Sequence, residues 1–195
     1  MKIKMHLLSD VIFGNGASVP GGEDISVLRD DRGFPYYKGG TFKGIFREEL
    51  EHYLHWTKAG ESAVQARLEE LLGSSGNDRE AEGKLVFSDF TLSEYVKEKV
   101  LEEIGDDREA VLDAFTNLRT FTSIDGDGTV SEGSLRSARC VNKGLYFYSE
   151  ISCCREDEPL VREVISLVKW IGSMRNRGFG KVKIEPEDAG LEQGE

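Results

Sequence analysis

The sequence predicts an α+β fold in one domain, residues 1–195, with a ferredoxin-like, RNA-recognition-motif-like core. Three observations indicate this class. The first residues alternate between apolar and polar side chains, as strands do. Two later segments carry apolar residues at helical spacing, and helices return between strands without strict βαβ regularity. We therefore expect one sheet with its helices on a single face.

The N-terminal half opens with a strand, predicted over residues 2–13, and a glycine-rich loop follows it. An amphipathic helix is predicted from Thr41, which resembles an N-cap residue. Its apolar side chains recur at helical spacing: Phe42, Phe46, Leu50, Tyr53 and Leu54. "ESAVQARLEELLG" predicts a second helix that ends at Gly73, and "KLVFSDFTL" predicts a second strand.

The remaining elements follow from charge and periodicity. "SEYVKEKVLEEIGDDREAVLDAF" is charged helical material, so residues 48–116 form a mainly helical, acidic insertion. "LRTFTSI" and "GLYFYSEISC" predict two strands that flank a long hairpin-like insertion. "EPLVREVISLVKWIGSM" predicts a helix, whose apolar face holds Leu160, Val164, Leu167, Val168 and Ile171. "RNRGFGKVKIEP" predicts a glycine loop that leads into the last strand.

Charge is distributed unevenly along the chain. The net charge is −11, and residues 48–113 alone hold 18 acids against 7 bases, so the rest of the chain is neutral. Residues 169–183 contain five bases and no acid, and residues 29–47 contain five bases against two acids. Such asymmetry predicts a basic face and an acidic face on one molecule, which also suits identical subunits stacked in a row.

Apolar runs and cysteines predict the compartment. No apolar run approaches the ~18 residues that a membrane span needs, and polar residues interrupt the N-terminal apolar ones, unlike in a signal peptide. Three cysteines, Cys140, Cys153 and Cys154, are odd in number and form no Cys-x-x-Cys pair. They favour reduced thiols in a cytoplasmic protein without a membrane partner.

Several motifs for other chemistries are incomplete. "DGDGTVSEGSLR" begins like a calcium-binding EF-hand loop, but Val130 and Arg136 replace the required glycine and glutamate. His52 and His55 are three residues apart but lack the His-Glu-x-x-His pattern of zinc sites. "GGTFKG" lacks the spacing of a Walker A loop, and no Gly-x-Ser-x-Gly elbow supports a serine hydrolase.

Two glycine-rich turns combine flexibility with positive charge. The first precedes the helix at Thr41 with Gly39, Gly40 and Gly44, and it places Lys43 and Arg47 one turn apart. Its glycines would let a backbone approach closely, and the amides at a helix start attract anions. The alternative to an anion-binding site is an ordinary turn before a solvent-exposed helix face.

The second turn, "GSMRNRGFGKV", places Arg175 and Arg177 beside Gly178 and Gly180, with Phe179 available to stack on a base or sugar. Charge, a planar ring and flexible backbone therefore occur together, as single-stranded RNA binding requires. The alternative is a structural turn before an edge strand.

The motif "GGEDISVLRDDRGFPYYKGGTFKGIFRE" resembles the signature of the RAMP superfamily of CRISPR-associated proteins. "EGKLVFSDFTL", the region from "LRTFTSI" to "GLYFYSEIS" and "GSMRNRGFGKVKI" resemble the same family in the same order, so the likeness spans residues 1–185. It is most similar to the backbone subunit of type III (Csm/Cmr-like) effector complexes. The chain departs from the pattern at Lys38, Gly40 and Thr41, where Pro, Ser and Ser are expected.

The resemblance implies a head-to-tail filament of this chain, or of related RAMP subunits, that holds a CRISPR guide RNA beside other type III subunits. Complementary target RNA would be the second nucleic-acid partner. Lys43, Arg47, Arg175 and Arg177 would contact guide phosphates. Residues 124–141 would form a thumb-like hairpin inserted into the guide–target duplex, with Arg136 and Arg139 near its return strand.

Asp24 falls where catalytic backbone subunits of the family keep the aspartate that cleaves target RNA, so the resemblance implies an endoribonuclease. A carboxylate can hold a divalent ion, Mg²⁺ or Mn²⁺, or help to deprotonate the attacking 2′-hydroxyl. Its acidic neighbours Glu23, Asp30 and Asp31 are interpreted as surface or turn residues. Two alternatives remain open: a non-catalytic RNA-binding subunit, and a small-molecule enzyme on a ferredoxin-like core.

Overall fold

The fold is built around a four-stranded antiparallel sheet whose strands are collected from both ends of the chain. A computed structural model describes residues 1–14, 23–57, 60–74, 82–122 and 135–187. The sheet contains β1 (Lys2–Leu7), β2 (Val86–Phe87), β5 (Tyr146–Ser152) and β6 (Val182–Pro186), in the order β2-β5-β1-β6. β1 is central: Met5 lies opposite Phe147 of β5 and Ile184 of β6.

A second, two-stranded sheet joins β3 (Thr116–Phe121) and β4 (Arg136–Val141) in antiparallel register. β3 confirms the strand predicted from "LRTFTSI", and β5 confirms the strand predicted from "GLYFYSEISC". β3 pairs with β4, which the pattern did not mark as a strand, and β5 belongs to the main sheet. The tip of the predicted thumb, residues 123–134, lies outside the described residues.

The helices are α1 (Gly39–Trp56), α2 (Glu61–Leu72), α3 (Glu94–Ile104), α4 (Arg108–Phe115) and α5 (Glu158–Leu167). α1 and α2 confirm the predicted helices, with Phe42, Phe46 and Leu50 buried at helical spacing. α1 begins two residues before the predicted Thr41, because the Asp89 carboxylate accepts a hydrogen bond from the Gly39 amide at 2.8 Å. A sequence pattern cannot show a cap from a residue fifty positions away.

One face of the main sheet supplies the core. Alternate residues of β1 point inward and are fully buried, namely Ile3, Met5 and Leu7. They pack with the apolar faces of α1 and α5 in one large cluster of buried side chains. Burial of this kind stabilises the fold by about 25 cal/mol per Å² of apolar surface.

Three predicted elements are shorter than their patterns. β1 ends at Leu7, β2 has two residues, and α5 ends at Leu167. After α5 the chain is extended: Val168 has ψ 107°, and Trp170 forms a β-bridge with Lys181. Val168 and Ile171 are nevertheless buried, so apolar spacing continued past the helix and misplaced its end. Within the described ranges no helix is long and apolar enough to span a membrane.

Candidate nucleic-acid interface

The first turn of α1 combines one glycine that the fold requires with two that face open space. A side chain at Gly39 would place its Cβ 2.4 Å from the Phe87 carbonyl oxygen, so glycine allows α1 to lie against β2. At Gly40 and Gly44, one helical turn apart, a Cβ would meet no described atom within 4 Å. Glycine within a helix costs about 0.5–1 kcal/mol relative to alanine. This outer strip of α1 therefore permits close approach of another molecule.

The two predicted phosphate ligands of α1 differ in their surroundings. Arg47 donates hydrogen bonds from Nη2 to the carbonyl oxygens of Gly73 at 2.6 Å and Leu72 at 3.2 Å, which caps the C-terminus of α2. Lys43 is half-buried and has no polar partner among the described residues. Lys43 thus remains available to a ligand, whereas Arg47 already has a structural role that the prediction did not include.

The second glycine turn is held in left-handed backbone conformations. Met174 has φ 56°, and a short 3₁₀ turn over Arg175–Arg177 ends at Gly178, with φ 87°. Gly180 is enclosed: its Cβ would lie 1.9 Å from the Ile171 carbonyl oxygen. Arg175 and Arg177 are exposed at the outside of this turn. Both arginines therefore lie on a turn whose left-handed backbone conformations favour glycine.

The aromatic ring of this turn is half-buried and packs against β3. Phe179 contacts Phe121 edge-on at 5.6 Å and joins a small apolar cluster with Ile12 and Cys140. This contact attaches the turn to β3, and stacking of Phe179 on a base stays a prediction. The Arg177 guanidinium lies over Phe121 at 5.9 Å, within cation–π range.

Both glycine turns line one pocket. Thr41 and Ile45 of α1 face Gly172, Ser173 and Arg175 of the second turn across a cavity of 210 Å³. Gly14, Ile12, Tyr37 and Glu48 complete its wall. The Oη atom of Tyr37 is buried and has no hydrogen-bond partner among the described residues. The turns that the sequence separates by some 130 positions thus meet on one side of the molecule.

A second groove continues past Arg177. It has a volume of 360 Å³, and Arg119 of β3 and Lys143 line it together with Arg177, Phe121 and Asp10. Arg119 donates a hydrogen bond to Asp10 at 2.8 Å, and Asp10 also accepts one from the Lys143 amide at 3.0 Å. Sequence reasoning missed Arg119 and Lys143. Each is an isolated basic residue on a predicted strand or turn, so the sequence around it gave no indication of a binding role.

Asp24 is attached to the base of β4. Its Oδ2 accepts hydrogen bonds from the Ser137 amide at 2.7 Å and the Ser137 hydroxyl at 3.5 Å. The next residue, Ile25, forms a parallel bridge with Ala138. The side chain is exposed, so the carboxylate stands at the surface beside the root of the predicted thumb.

Glu23 and Arg139 form an ion pair that stabilises this attachment. Arg139 Nε donates to Glu23 at 2.9 Å, both side chains are 12% exposed, and Nη1 also donates to Asp113 and Thr116. Glu23 is thus half-buried in an ion pair rather than fully solvated, and an RNA contact of Arg139 stays a prediction. Arg136 is exposed at the start of β4, without a polar partner among the described residues.

The described residues contain no group of three or more His, Cys, Asp or Glu side chains that could hold a metal ion. Asp24 offers one carboxylate, of which Oδ2 is occupied by Ser137. A divalent ion here would have a single protein ligand and would take its remaining ligands from water and substrate phosphates, as Mg²⁺ often does. A divalent ion at Asp24 would therefore depend on ligands from outside the described residues.

Comparison with known proteins places the chain in a family and matches its fold. The family model described as the RAMP superfamily matches residues 4–183. A chain of the type III-B Cmr-β complex bound to cognate target RNA superposes with a TM-score of 0.67 at 14% identity, covering 94% of this chain and 95% of that one. A chain of the same complex in its apo state gives the same values. No curated protein matches the sequence.

Proposed function

Because the chain belongs to the RAMP superfamily, we propose that it is a CRISPR-guide-RNA-binding backbone subunit of a type III effector complex. The observation that carries the proposal is the meeting of both glycine turns at one pocket, with a basic groove beside it. The similarity in fold to chains of Cmr-β, one of them in a complex with target RNA, supports the same reading.

Strand order supports a ferredoxin-like core. The elements around the main sheet run β1-α1-β2-β5-α5-β6, which is the β-α-β-β-α-β order of that fold. In this proposal α2, α3, α4 and the β3–β4 pair are insertions, and β3–β4 is the base of a thumb. Copies of the subunit, or related RAMP subunits, would stack head to tail along the guide, with other type III subunits at the ends.

Guide binding is tested by the salt dependence of RNA affinity. Each phosphate contact that is lost should lower the slope of log K against log salt by about 0.7 for single-stranded RNA. We expect Lys43→Gln, Arg175→Gln and Arg177→Gln each to weaken binding and reduce the slope. Lys99→Gln is the matched control, because Lys99 is exposed in the acidic segment and pairs with Glu102. Equal effects of all four substitutions would contradict the assigned face.

We further propose that Asp24 takes part in metal-dependent cleavage of complementary RNA. A divalent ion would stabilise charge that develops on the scissile phosphate. Asp24 itself is exposed, and Ser137 holds its Oδ2 at the thumb base. In the assembled complex with guide, target RNA and Mg²⁺, Asp24→Asn should abolish cutting. This variant retains an oxygen that can accept the Ser137 hydrogen bond, so a loss of cutting would not reflect a loosened loop.

A non-catalytic scaffold remains the second candidate. The absence of a carboxylate cluster among the described residues favours it, as does the use of Asp24 Oδ2 in the fold. If Asp24→Asn leaves both guide binding and target cutting unchanged, this candidate replaces the catalytic one. Binding lost together with cutting would instead assign Asp24 to assembly.

A further inference from the structure

The pocket between α1 and the second glycine turn contains a hydroxyl group that the fold does not use. Tyr37 is 3% exposed, and its Oη has no hydrogen-bond partner among the described residues. A buried polar atom without a partner costs free energy, so phenylalanine would serve folding alone at least as well. The hydroxyl therefore indicates a ligand.

The Tyr37 ring is fixed in place by its neighbours. It packs against Phe13 at 4.9 Å between ring centroids, and its backbone exchanges two hydrogen bonds with Phe90, at 2.8 and 3.0 Å. The Gly172 amide and the Arg175 guanidinium act electrostatically on the phenol oxygen, but no described atom meets the geometry of a hydrogen bond with it. Burial raises the pKa of Tyr37 to about 12, against the opposing effects of these two groups. The group is a neutral hydroxyl that can both donate and accept.

The remaining wall of the pocket is mixed in character. Thr41 and Ser173 contribute hydroxyl groups, Arg175 a cation and Glu48 a carboxylate. A carboxylate disfavours a phosphate at this position, but it can accept a hydrogen bond from a sugar hydroxyl while Tyr37 donates one to it. The volume of 210 Å³ is below the ~300–1,000 Å³ of pockets that enclose whole drug-sized ligands. It suits one sugar, with the attached phosphates outside near the exposed Arg175.

We infer that this pocket receives the ribose of one guide nucleotide and that Tyr37 hydrogen-bonds to its 2′-hydroxyl. The 2′-hydroxyl is the group by which a protein distinguishes RNA from DNA at a given site. The inference rests on the proposed guide binding and deepens it, because it assigns the preference for RNA to one buried side chain rather than to the phosphate contacts.

The test compares three single-stranded oligonucleotides of one sequence: all-ribose, all-2′-deoxy and all-2′-O-methyl. Affinities are measured with the full chain by fluorescence anisotropy, for the wild type and for Tyr37→Phe. We expect the wild type to prefer the ribose strand. Tyr37→Phe should weaken ribose binding about two- to tenfold, the effect of one net hydrogen bond, and leave deoxy binding and the salt slope unchanged.

Tyr36→Phe is the matched control, since Tyr36 is the adjacent, half-buried tyrosine outside the pocket. It should behave as the wild type. A second variant, Ser173→Leu, fills the pocket from its exposed side and should lower ribose affinity without altering Tyr37. Thermal unfolding of Tyr37→Phe should match or exceed the wild type, because no hydrogen bond within the described chain is lost.

The outcomes separate the inference from the proposal beneath it. If the wild type prefers the ribose strand and Tyr37→Phe keeps the same preference, the inference is overturned. The proposal of guide binding then remains intact. Equal losses for ribose and deoxy strands in Tyr37→Phe also overturn it, because the pocket would then hold another part of the strand. A wild type without salt-dependent RNA affinity removes the proposed function, and the inference with it.

Discussion

Two neighbouring glycines of the second turn provide a matched test of why this turn has its sequence. Gly178 and Gly180 have almost the same backbone angle, with φ +87° and +84°. A Cβ at Gly178 meets no described atom within 4 Å, whereas a Cβ at Gly180 would lie 1.9 Å from the Ile171 carbonyl oxygen. Alanine at either position bears the same left-handed strain, and only Gly180→Ala adds a collision.

The expected magnitudes follow from these distances. Left-handed backbone costs an alanine about 1–2 kcal/mol, which should be the whole effect of Gly178→Ala. At Gly180 the contact must lengthen by 1.1 Å to reach 3.0 Å from its present 1.9 Å. That shift strains the hydrogen bonds from the Ile171 amide to Gly180 and from the Gly180 amide to Asp10, both 2.9 Å. With about 0.5–1.5 kcal/mol for each bond, Gly180→Ala should cost about 1–3 kcal/mol more than Gly178→Ala.

Urea unfolding of the two variants beside the wild type measures the difference in the free energy of unfolding. For a chain of 195 residues we also expect a midpoint of thermal unfolding about 2–12 °C lower for Gly180→Ala than for Gly178→Ala. Equal losses of stability would refute the reasoning, because strain alone would then explain both positions. A larger loss at Gly178 would refute the packing of the turn itself.

Three further results are expected. Arg47→Met should lower the free energy of unfolding by about 1.5–3 kcal/mol in urea, because α2 loses its C-terminal hydrogen bonds, whereas Lys43→Met should stay within about 0.5 kcal/mol. Burial has the largest single effect on the pKa of Asp10 and raises it. The hydrogen bonds that Asp10 accepts, the strongest of them from the Arg119 side chain, together lower this pKa below its ordinary value. A carboxylate whose pKa is lower in the folded than in the unfolded chain stabilises the fold at pH values above its unfolded pKa of 3.8. This stabilisation is lost as the pH falls through the folded pKa. The urea midpoint should thus drop more between pH 6 and 3 in the wild type than in Asp10→Asn. Burial raises the pKa of Cys140 to about 12, so iodoacetamide at pH 8 should label it only in urea, and labelling of the native chain would contradict its burial.

Periodicity predicted the elements that have one apolar face and a well-defined end. α2 ends at Leu72, one residue before the predicted Gly73, because that glycine adopts φ 76° and accepts the Arg47 hydrogen bond. α5 was predicted too long because its apolar spacing runs on into Val168 and Ile171. These two residues lie on an extended segment, and their side chains are buried as those of a strand are. Apolar spacing over so short a stretch does not distinguish a helix from an extended segment.

Pairing between distant segments was beyond the sequence. β4 contains two arginines and a serine, so its pattern resembled a polar loop, yet Ala138 and Cys140 are fully buried against Ile12. What makes it a strand is β3 on one side and the segment at Ile25 on the other. Neither partner is adjacent in sequence, and strand propensity depends strongly on such context.

The candidate site shows why a count of basic residues does not identify phosphate ligands. Charge and spacing predicted Lys43 and Arg47, and the resemblance implied Arg136 and Arg139. The guanidinium groups of Arg47 and Arg139, however, bind acceptors 25, 26 and 116 positions away within the fold. Arg119 and Lys143, which the charge runs did not mark, line the groove, although Arg119 is itself paired with Asp10. An arginine offers five donors in a fixed plane and is therefore suited to capping carbonyls and pairing buried carboxylates as well as to gripping phosphates. The folded contacts, rather than the net charge of −11, decide which cations keep donors free for a ligand.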